Sequence, residues 1–186
     1  MTATREGISA VHYGVLPNAP TGPIAVWVTL NGVRRVGDVP RNTLDEDRSQ
    51  TSRNTTLAST LVQLREYFAR DRREFDLPLD FSGATSFQRR IFQRLLKIPY
   101  GRIVSYGDIA DELGEPGAAR AVGQAVGANP LPILVPCHRV VRSDGKLGGY
   151  SGGLRRKVLL LGIEGVVVDG HRAASDVHPD VLRLPL

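Results

Sequence analysis

A segment containing proline and glycine, residues 75–83, divides the chain into two parts with different hydrophobic patterns. Before it, short apolar runs alternate with turn residues, which is typical of β-strands. After it, apolar residues recur at helical spacing. A chain of 186 residues is long enough for two small domains, each with its own core. We therefore predict an α+β fold, with a small N-terminal sheet-plus-helix domain and linker in residues 1–80, joined to a mainly helical C-terminal domain in residues 81–186.

Three runs of β-prone residues predict strands before this linker. Asn31-Gly32, a pair typical of tight hairpin turns, separates the second run from the third. The polar residues 41–56 show no periodicity and indicate a loop. Apolar residues then recur every three or four positions and predict one amphipathic helix. The runs are Ile8–Tyr13, Ile24–Leu30 and Val33–Val36, and the helix positions are Leu57, Leu61, Leu64 and Phe68.

Capping boxes mark the starts of two helices after the linker. Thr85 with Gln88 begins the first, which ends before Pro99 because the residue preceding a proline avoids helical geometry. Ser105 with Asp108 begins the second. A turn at residues 114–117 leads to a third helix. The last two helices indicate either a DNA-binding helix-turn-helix or an ordinary helical hairpin in a core. The third helix has as its predicted buried positions Ala118, Ala121, Val122, Ala125 and Val126.

The outer face of this third helix is unusual. Arg120, Gly123 and Gly127 fall at i, i+3 and i+7, so a long cation stands beside two positions that lack side chains. Glycine inside a helix costs up to roughly 1 kcal/mol relative to alanine. Two glycines on one stripe therefore favour the close approach of another group, either a DNA backbone or a packed helix.

The positive charge of the chain is concentrated in residues 83–165. They hold 12 lysines and arginines against 6 aspartates and glutamates, whereas the rest of the chain holds 12 against 13. Such a segment suits a polyanionic partner, or is a basic solvated surface. No apolar run approaches the roughly 20 residues that span a bilayer, and the N-terminus lacks a signal-peptide pattern. We expect no membrane partner and a cytoplasmic location, on the nucleoid in a prokaryote.

Cys137, the only cysteine, is followed directly by His138 and Arg139. A free cysteine is usually a small buried hydrophobic residue, but an adjacent imidazole or positive charge lowers the pKa of a thiol and supplies the reactive thiolate. The preceding apolar run, Ile133–Val135, predicts a buried strand, in which successive side chains point to opposite faces. Cys137 and His138 can cooperate only if the chain turns at Cys137 or a water bridges them, and Pro136 favours such a break.

The sequence around Cys137 resembles the active-site signature of the O6-alkylguanine-DNA alkyltransferases, also called methylated-DNA–protein-cysteine methyltransferases. The similarity covers residues 80–166 in order and spacing. It is loose over residues 1–75 and absent from residues 167–186, which would form a tail. The segments that carry the resemblance are Ile98–Gly101, Val104–Tyr106, Ala119–Gly123, Gly127–Pro130, Pro136–Val140, Gly149–Gly153 and Leu161–Gly165.

The resemblance implies direct-reversal DNA repair. Cys137 would attack the alkyl carbon on O6 of guanine, and also on O4 of thymine, and would keep the alkyl group irreversibly in a single turnover. His138 would act as the base through a bridging water, and Glu164 would orient it. Asn129 would brace the active-site turn. Tyr106 would donate a proton towards the leaving guanine and help to swing the nucleotide outward.

The resemblance also implies a partner, namely double-stranded DNA with alkylated bases, bound through the minor groove with the lesion flipped out. Arg120 would fill the vacated stack. It implies no cofactor, and no obligate protein partner is inferred. The lone cysteine argues against the zinc site that some members carry, so no metal is expected. The implied DNA-binding residues are Ser105, Ala119, Arg120, Gly123 and Gly127, and the implied pocket residues are Val140, Tyr150, Ser151 and Gly152.

Other interpretations of these residues remain. Without the resemblance, Glu164 reads as a surface acid, Tyr106 as a core residue and Arg120 as a phosphate contact. A lesion sensor without transfer activity would need no activated thiol at Cys137. A Cys-His hydrolase or acyltransferase would need a glycine-rich oxyanion loop near the cysteine, and the sequence shows none. Gly149 stands where other members have asparagine, which would alter the shape of the pocket or its tolerance of alkyl groups.

Overall fold

A computed structural model of the protein describes residues 12–40, 54–170 and 172–173. It divides into two compact units, Met1–Ser82 and Gly83–Leu186. The first unit holds a three-stranded sheet and one helix, and the second is mainly helical, so the predicted α+β class is confirmed. The start of the first predicted strand, most of the predicted polar loop and most of the predicted tail lie outside the described residues.

The N-terminal sheet is antiparallel, with the order β1-β2-β3. Its hairpin turn is Leu30–Asn31, because Thr29 pairs with Gly32. This turn lies one residue earlier than the predicted Asn31-Gly32 turn, because Gly32 is the first residue of the third strand and lies against Pro78. A Cβ on Gly32 would lie 2.2 Å from the Pro78 carbonyl oxygen, and its φ is +128°, so only glycine lets the linker approach here. The strands are β1 (His12–Leu16), β2 (Ile24–Thr29) and β3 (Gly32–Asp38).

The predicted linker is bound to the sheet over part of its length. Val33 N donates to the Pro78 carbonyl at 2.8 Å, and Asp80 N donates to the Val33 carbonyl at 2.8 Å. The buried carboxylate of Asp80 accepts hydrogen bonds from Thr29 Oγ1 at 2.8 Å and Arg34 Nη1 at 3.1 Å. Residues 78–80 therefore belong structurally to the N-terminal unit.

The helix of this unit, α1 (Thr55–Phe68), packs on the sheet. The Asn54 side chain accepts a hydrogen bond from Leu57 N and caps the helix, so the predicted loop ends earlier than residue 56. Leu57, Leu61 and Leu64 are buried, as their spacing predicted. Burying each leucine stabilises the fold by about 1.5–3 kcal/mol. Gly14 makes room for Leu57, whose Cδ1 would lie 3.1 Å from a Cβ there.

The C-terminal unit begins with the predicted capped helices, α2 (Ser86–Leu95) and α3 (Tyr106–Glu112). The third predicted helix is α4 (Ala119–Gly127), which packs against α3. Val122, Ala125 and Val126 are buried as predicted, but Ala121 is exposed and that prediction was wrong. The buried stripe is centred on Val122 and Val126, and Ala121 lies one residue, about 100°, to the side of it.

Short parallel strands, β4 (Val104–Ser105) and β5 (Val140–Val141), bring the start of α3 beside the segment that follows Cys137. The unit ends with α5 (Leu154–Ile163) and the pair β6 (Val168–Asp169) and β7 (Arg172–Ala173). The predicted strand Ile133–Val135 is instead a buried turn, because Ile133 takes a left-handed φ of +77° that breaks the extended chain. Within the described part of the chain, no helix is long and apolar enough to cross a membrane.

Candidate active site

Cys137 opens a single 3₁₀ turn, Cys137–Arg139, directly after Pro136. Its N–H donates to the Val135 carbonyl at 2.8 Å, and Arg139 N donates to the Pro136 carbonyl at 3.0 Å. The chain thus turns at Cys137. Such a turn is one of the two arrangements that were predicted to let Cys137 and His138 cooperate. The residue Cys137 is 3% exposed.

Asn129 braces the turn that leads to the cysteine. Its Nδ2 donates to the Val135 carbonyl at 2.9 Å, and its Oδ1 accepts from Leu131 N at 3.0 Å. Hydrogen bonding from its side chain also acts to lower the pKa of Cys137. One buried amide therefore holds the turn and acts on the thiol.

His138 and Glu164 form a fully buried pair, with Nε2 2.7 Å from Oε1. Burial lowers the pKa of His138 despite the nearby carboxylate, so the ring is neutral at pH 7. Because a neutral ring that donates from Nε2 to Glu164 carries no proton on Nδ1, this second nitrogen can accept one. Among the described residues Nδ1 has no hydrogen-bond partner. Nδ1 of His138 can therefore act as a base.

Arg139 binds both oxygens of the Glu164 carboxylate. Its Nε donates to Oε2 at 2.8 Å, its Nη2 to Oε1 at 2.9 Å and its Nη1 to the Ile98 carbonyl at 2.5 Å. Gly101 N adds a fourth donor to Glu164, at 3.1 Å. Burial alone would raise the pKa of Glu164, but these partners together with His138 outweigh it and hold that pKa at about 2. The carboxylate is therefore ionised and fixed.

The pKa of the Cys137 thiol is raised, because burial disfavours the thiolate. The Asn129 hydrogen bond and the positive charge of Lys157 act in the opposite direction. The prediction that the side chains of His138 and Arg139 lower the thiol pKa was wrong, since the 3₁₀ turn directs both of them to Glu164. The cation that acts on the thiol comes from α5.

A pocket of about 620 Å³ has Cys137 in its wall. It brings together most of the residues that the sequence assigned to DNA and to the substrate. Those are Tyr106, Ala119, Arg120, Gly123, Gly127, Tyr150 and Ser151, and the pocket adds Val126, Arg142, Ser143, Gly148 and Gly149.

Three of the residues predicted to bind DNA or to form the substrate pocket do not line this pocket. Ser105 caps the start of α3 with its hydroxyl. Val140 is buried in β5, where its carbonyl accepts a hydrogen bond from Lys157 Nζ at 2.5 Å. Gly152 lies against the Tyr150 ring, because a Cβ on Gly152 would be 2.9 Å from Tyr150 Cε1. Their positions fit a role in placing the lining residues rather than in contacting a ligand.

Glycines surround Tyr106 in the pocket. A Cβ on Gly148 would lie 3.1 Å from Tyr106 Oη, and a Cβ on Gly123 would lie 3.8 Å from its ring. Burial and the negative charge of a Cys137 thiolate raise the pKa of Tyr106. The same two causes raise the pKa of Tyr150. Both phenols therefore keep their protons at neutral pH and can act as proton donors.

Sequence reasoning missed Lys157, which is completely buried. The signal was present: Lys157, Leu160, Leu161 and Glu164 fall at i, i+3, i+4 and i+7, on one face of α5 and its C-cap residue. A cation and an anion on an otherwise apolar stripe indicate buried charges with partners. Within the described ranges, no group of three or more histidine, cysteine or acidic residues is placed to hold a metal ion.

Comparison with known proteins identifies the relatives of both units. A family model described as the DNA binding domain of 6-O-methylguanine DNA methyltransferase matches residues 86–166. A model described as its ribonuclease-like domain matches residues 11–81. The similarity therefore also covers most of the N-terminal part, where the sequence motifs resembled the family only loosely. The methylated-DNA–protein-cysteine methyltransferase of Mycobacterium tuberculosis is 44% identical over 158 residues, which are 83% of this chain and 92% of the relative.

Solved structures agree with this relationship. The crystal structure of Mycobacterium tuberculosis OGT in complex with DNA has a TM-score of 0.70 at 41% identity, covering 83% of this chain and 92% of that one. The O6-methylguanine-DNA methyltransferase of the archaeon Pyrococcus kodakaraensis has a TM-score of 0.55 at 28% identity, covering 84% and 98%. The chain therefore belongs to the 6-O-methylguanine DNA methyltransferase family.

Proposed function

We propose that this protein repairs DNA by moving an alkyl group from O6 of guanine to Sγ of Cys137. The observation that carries the proposal is a thiol in the wall of a 620 Å³ pocket, next to the buried His138–Glu164 pair. Family membership supports the same reaction. A reactive free thiol also suits a reducing compartment, and we place the protein in the cytoplasm.

The reaction is an in-line displacement at the alkyl carbon. The Cys137 thiol gives its proton to Nδ1 of His138 through a water, and Sγ forms a bond to the carbon. The bond from that carbon to O6 breaks, and its electron pair leaves with guanine. Tyr106 Oη then supplies a proton to the leaving base, and the proton on His138 restores the phenol. The product is a thioether, which thiol exchange does not reverse, so each protein acts once.

The backbone around Cys137 favours alkyl transfer over acyl transfer. An acyl-transfer enzyme needs N–H donors aimed at a developing oxyanion. The N–H of Cys137 is already bonded to the Val135 carbonyl. Displacement at an alkyl carbon forms no oxyanion on the substrate carbon and needs no such donor. This geometry weighs against the hydrolase interpretation.

We assign DNA binding to α4. Its exposed Arg120 lies at the pocket, beside Gly123 and Gly127, which leave the helix surface flat. The net charge of +6 on residues 83–165 suits sequence-independent contact with phosphates. In our proposal α4 enters the minor groove, the damaged nucleotide flips into the pocket and Arg120 takes its place in the stack. O4-alkylthymine would enter the same pocket.

Replacing Tyr106 with phenylalanine should slow transfer by on the order of 10²-fold, because the leaving guanine loses its proton donor. The ring still packs between Gly123 and Gly148, so binding to a lesion-containing duplex should change little. Single-turnover rates and binding curves measure the two effects separately. Tyr13→Phe, in the N-terminal sheet, is the matched control. A Tyr106→Phe protein with the parental rate would remove this residue from the chemistry.

Titration tests the proposed function. Increasing amounts of a duplex with one O6-methylguanine are mixed with a fixed amount of protein, and restored guanine is counted after digestion of the DNA. The proposal predicts a plateau at one guanine per protein. Continued turnover would contradict it, and so would tight binding without any restored guanine, which is the behaviour of a lesion sensor.

A further inference from the structure

Lys157 carries a buried charge that the proposed reaction has not yet used. The side chain is 0% exposed, although an ammonium is costly to remove from water. Its Nζ donates to the Val140 carbonyl at 2.5 Å and to the Leu147 carbonyl. No carboxylate accepts from it within the part of the chain that the structure describes. A buried cation held only by neutral carbonyls lacks a fixed counter-charge.

The two carbonyls lie on the segments that form the pocket. Val140 directly follows the turn Cys137–Arg139, and Leu147 directly precedes Gly148, which lines the pocket. One side chain from α5 thus ties the cysteine turn to the segment that carries Gly148. Lys157 is placed to fix the position of the nucleophile relative to the part of the pocket wall that carries Gly148.

Arg139, Glu164, His138 and Lys157 form a buried cluster, and the sum of their charges indicates which group could be the counter-ion of Lys157. Arg139 is matched by Glu164, and His138 is neutral, so Lys157 leaves one positive charge in excess. Lys157 and Cys137 interact electrostatically. A thiolate at Cys137 would therefore supply the counter-charge that Lys157 lacks. The groups that face the thiol are Tyr106 from α3, Asn129 after α4, Tyr150 from the pocket loop and Lys157 from α5, with Arg120 and Arg142 lining the pocket. The ring of His138 is directed to Glu164 instead.

We propose that Lys157 is a positioning residue that clamps both segments of the pocket and supplies the positive charge opposite the Cys137 thiolate. The inference rests on the proposed function and adds a source of thiolate to it. Burial lowers the pKa of Lys157 to about 8, and the thiolate acts against this shift. At neutral pH the ammonium form therefore prevails, so a thiolate that forms there for the reaction lies opposite a positive charge.

Lys157→Met tests the charge with a side chain of similar length. Iodoacetamide reacts with the thiolate, so the pH at which Cys137 alkylation is half-maximal reports thiolate formation without DNA. We expect this midpoint to rise by about one pH unit or more in Lys157→Met, which is roughly a tenfold loss of rate at pH 7. Lys157→Arg retains a cation and should return the midpoint towards the parental value. Lys97→Met removes an exposed lysine from the same unit and should leave it unchanged.

A structural role alone gives a different result. In that case Lys157→Met would lower the melting temperature and leave the alkylation midpoint where it was, which would overturn the inference. Should this variant fail to fold, the titration of Lys157 is followed by NMR of labelled lysine in the parental protein and in Cys137→Ser. The inference predicts a lower Lys157 pKa in Cys137→Ser, and equal pKa values would overturn it.

These measurements separate the inference from the proposed function. A shifted iodoacetamide midpoint without any transfer from O6-methylguanine would support the charge pair and reject the repair reaction. Transfer from the lesion with an unshifted midpoint in Lys157→Met would support the repair reaction and reject the pair.

Discussion

Glu164→Gln is expected to lower the free energy of unfolding by about 3–5 kcal/mol, because it leaves the buried guanidinium of Arg139 without its counter-charge. The carboxylate accepts hydrogen bonds from His138, Arg139 and Gly101. The glutamine side chain can accept only some of these hydrogen bonds. Transfer should also slow by on the order of 10²–10⁴-fold, because His138 loses the group that fixes its tautomer.

The pH dependence of stability gives a second signature of the same carboxylate. Its pKa falls from an ordinary 4.5 to about 2 in the folded protein. A depressed pKa means that the stabilisation is complete above about pH 4.5 and is lost as the pH falls towards 2. Denaturant unfolding between these pH values should show this loss in the parental protein. In Glu164→Gln, the share of this acid-induced loss of stability that comes from Glu164 should be absent.

Glu112→Gln is the matched control, since Glu112 is a half-exposed glutamate that pairs with Arg94 on the surface. Surface pairs contribute up to roughly 1 kcal/mol, so this variant should remain close to the parental stability and transfer rate. Transfer is measured well below the melting temperature of each variant. Equal stability losses in Glu112→Gln and Glu164→Gln would contradict the account of a buried network.

Arg120→Ala should reduce transfer from duplex DNA by roughly 100-fold, because extruding a base costs a few kcal/mol and Arg120 is proposed to offset that cost. Transfer from the free base O6-benzylguanine needs no extrusion and should change little. The difference between the two substrates is the expected result, and single-turnover rates on both measure it.

Arg155→Ala is the control for charge alone, because Arg155 is exposed on α5 and does not line the pocket. It should weaken DNA binding slightly and in a salt-dependent way. If Arg120→Ala and Arg155→Ala had the same small effect on duplex transfer, Arg120 would be an ordinary phosphate contact. If Arg120→Ala slowed both substrates equally, its role would lie in the pocket instead.

The elements that the sequence predicted well are those with local signals. The capping boxes at Thr85 and Ser105 mark the starts of α2 and α3, and the leucines of α1 are buried at their helical spacing. In each case the pattern reports a free energy set by neighbours in the chain, such as a capped N–H or a buried face.

The errors arose where contacts outside the local hydrophobic pattern decide the structure. Ile133–Val135 has the composition of a buried strand and is buried, but a left-handed Ile133 turns the chain so that Asn129 can hold Val135. Gly32 does not serve the hairpin turn, because Pro78 approaches it from 46 residues later in the chain. Neither contact leaves a periodic signal near the residues concerned.

The same distinction applies to the site. Motif resemblance selected Tyr106, Arg120 and Cys137, which the structure brings to one pocket. It did not select the side chains that hold Glu164 and the pocket segments, namely Arg139 and Lys157. Arg139 beside Cys137 in sequence suggested a cation at the thiol, whereas the 3₁₀ turn gives it to Glu164. The charge near the thiol comes from α5, and only the fold places it there.

Alkyl transfer to Cys137 is tested most directly by the mass of the intact protein after reaction with a duplex that holds one O6-methylguanine. Peptide mapping locates the added group, and Cys137→Ser is treated in parallel. We predict a gain of one methyl group per protein, located on Cys137 and absent from the variant. An unchanged mass in the presence of bound lesion DNA, or a methyl group on any other residue, would contradict the account.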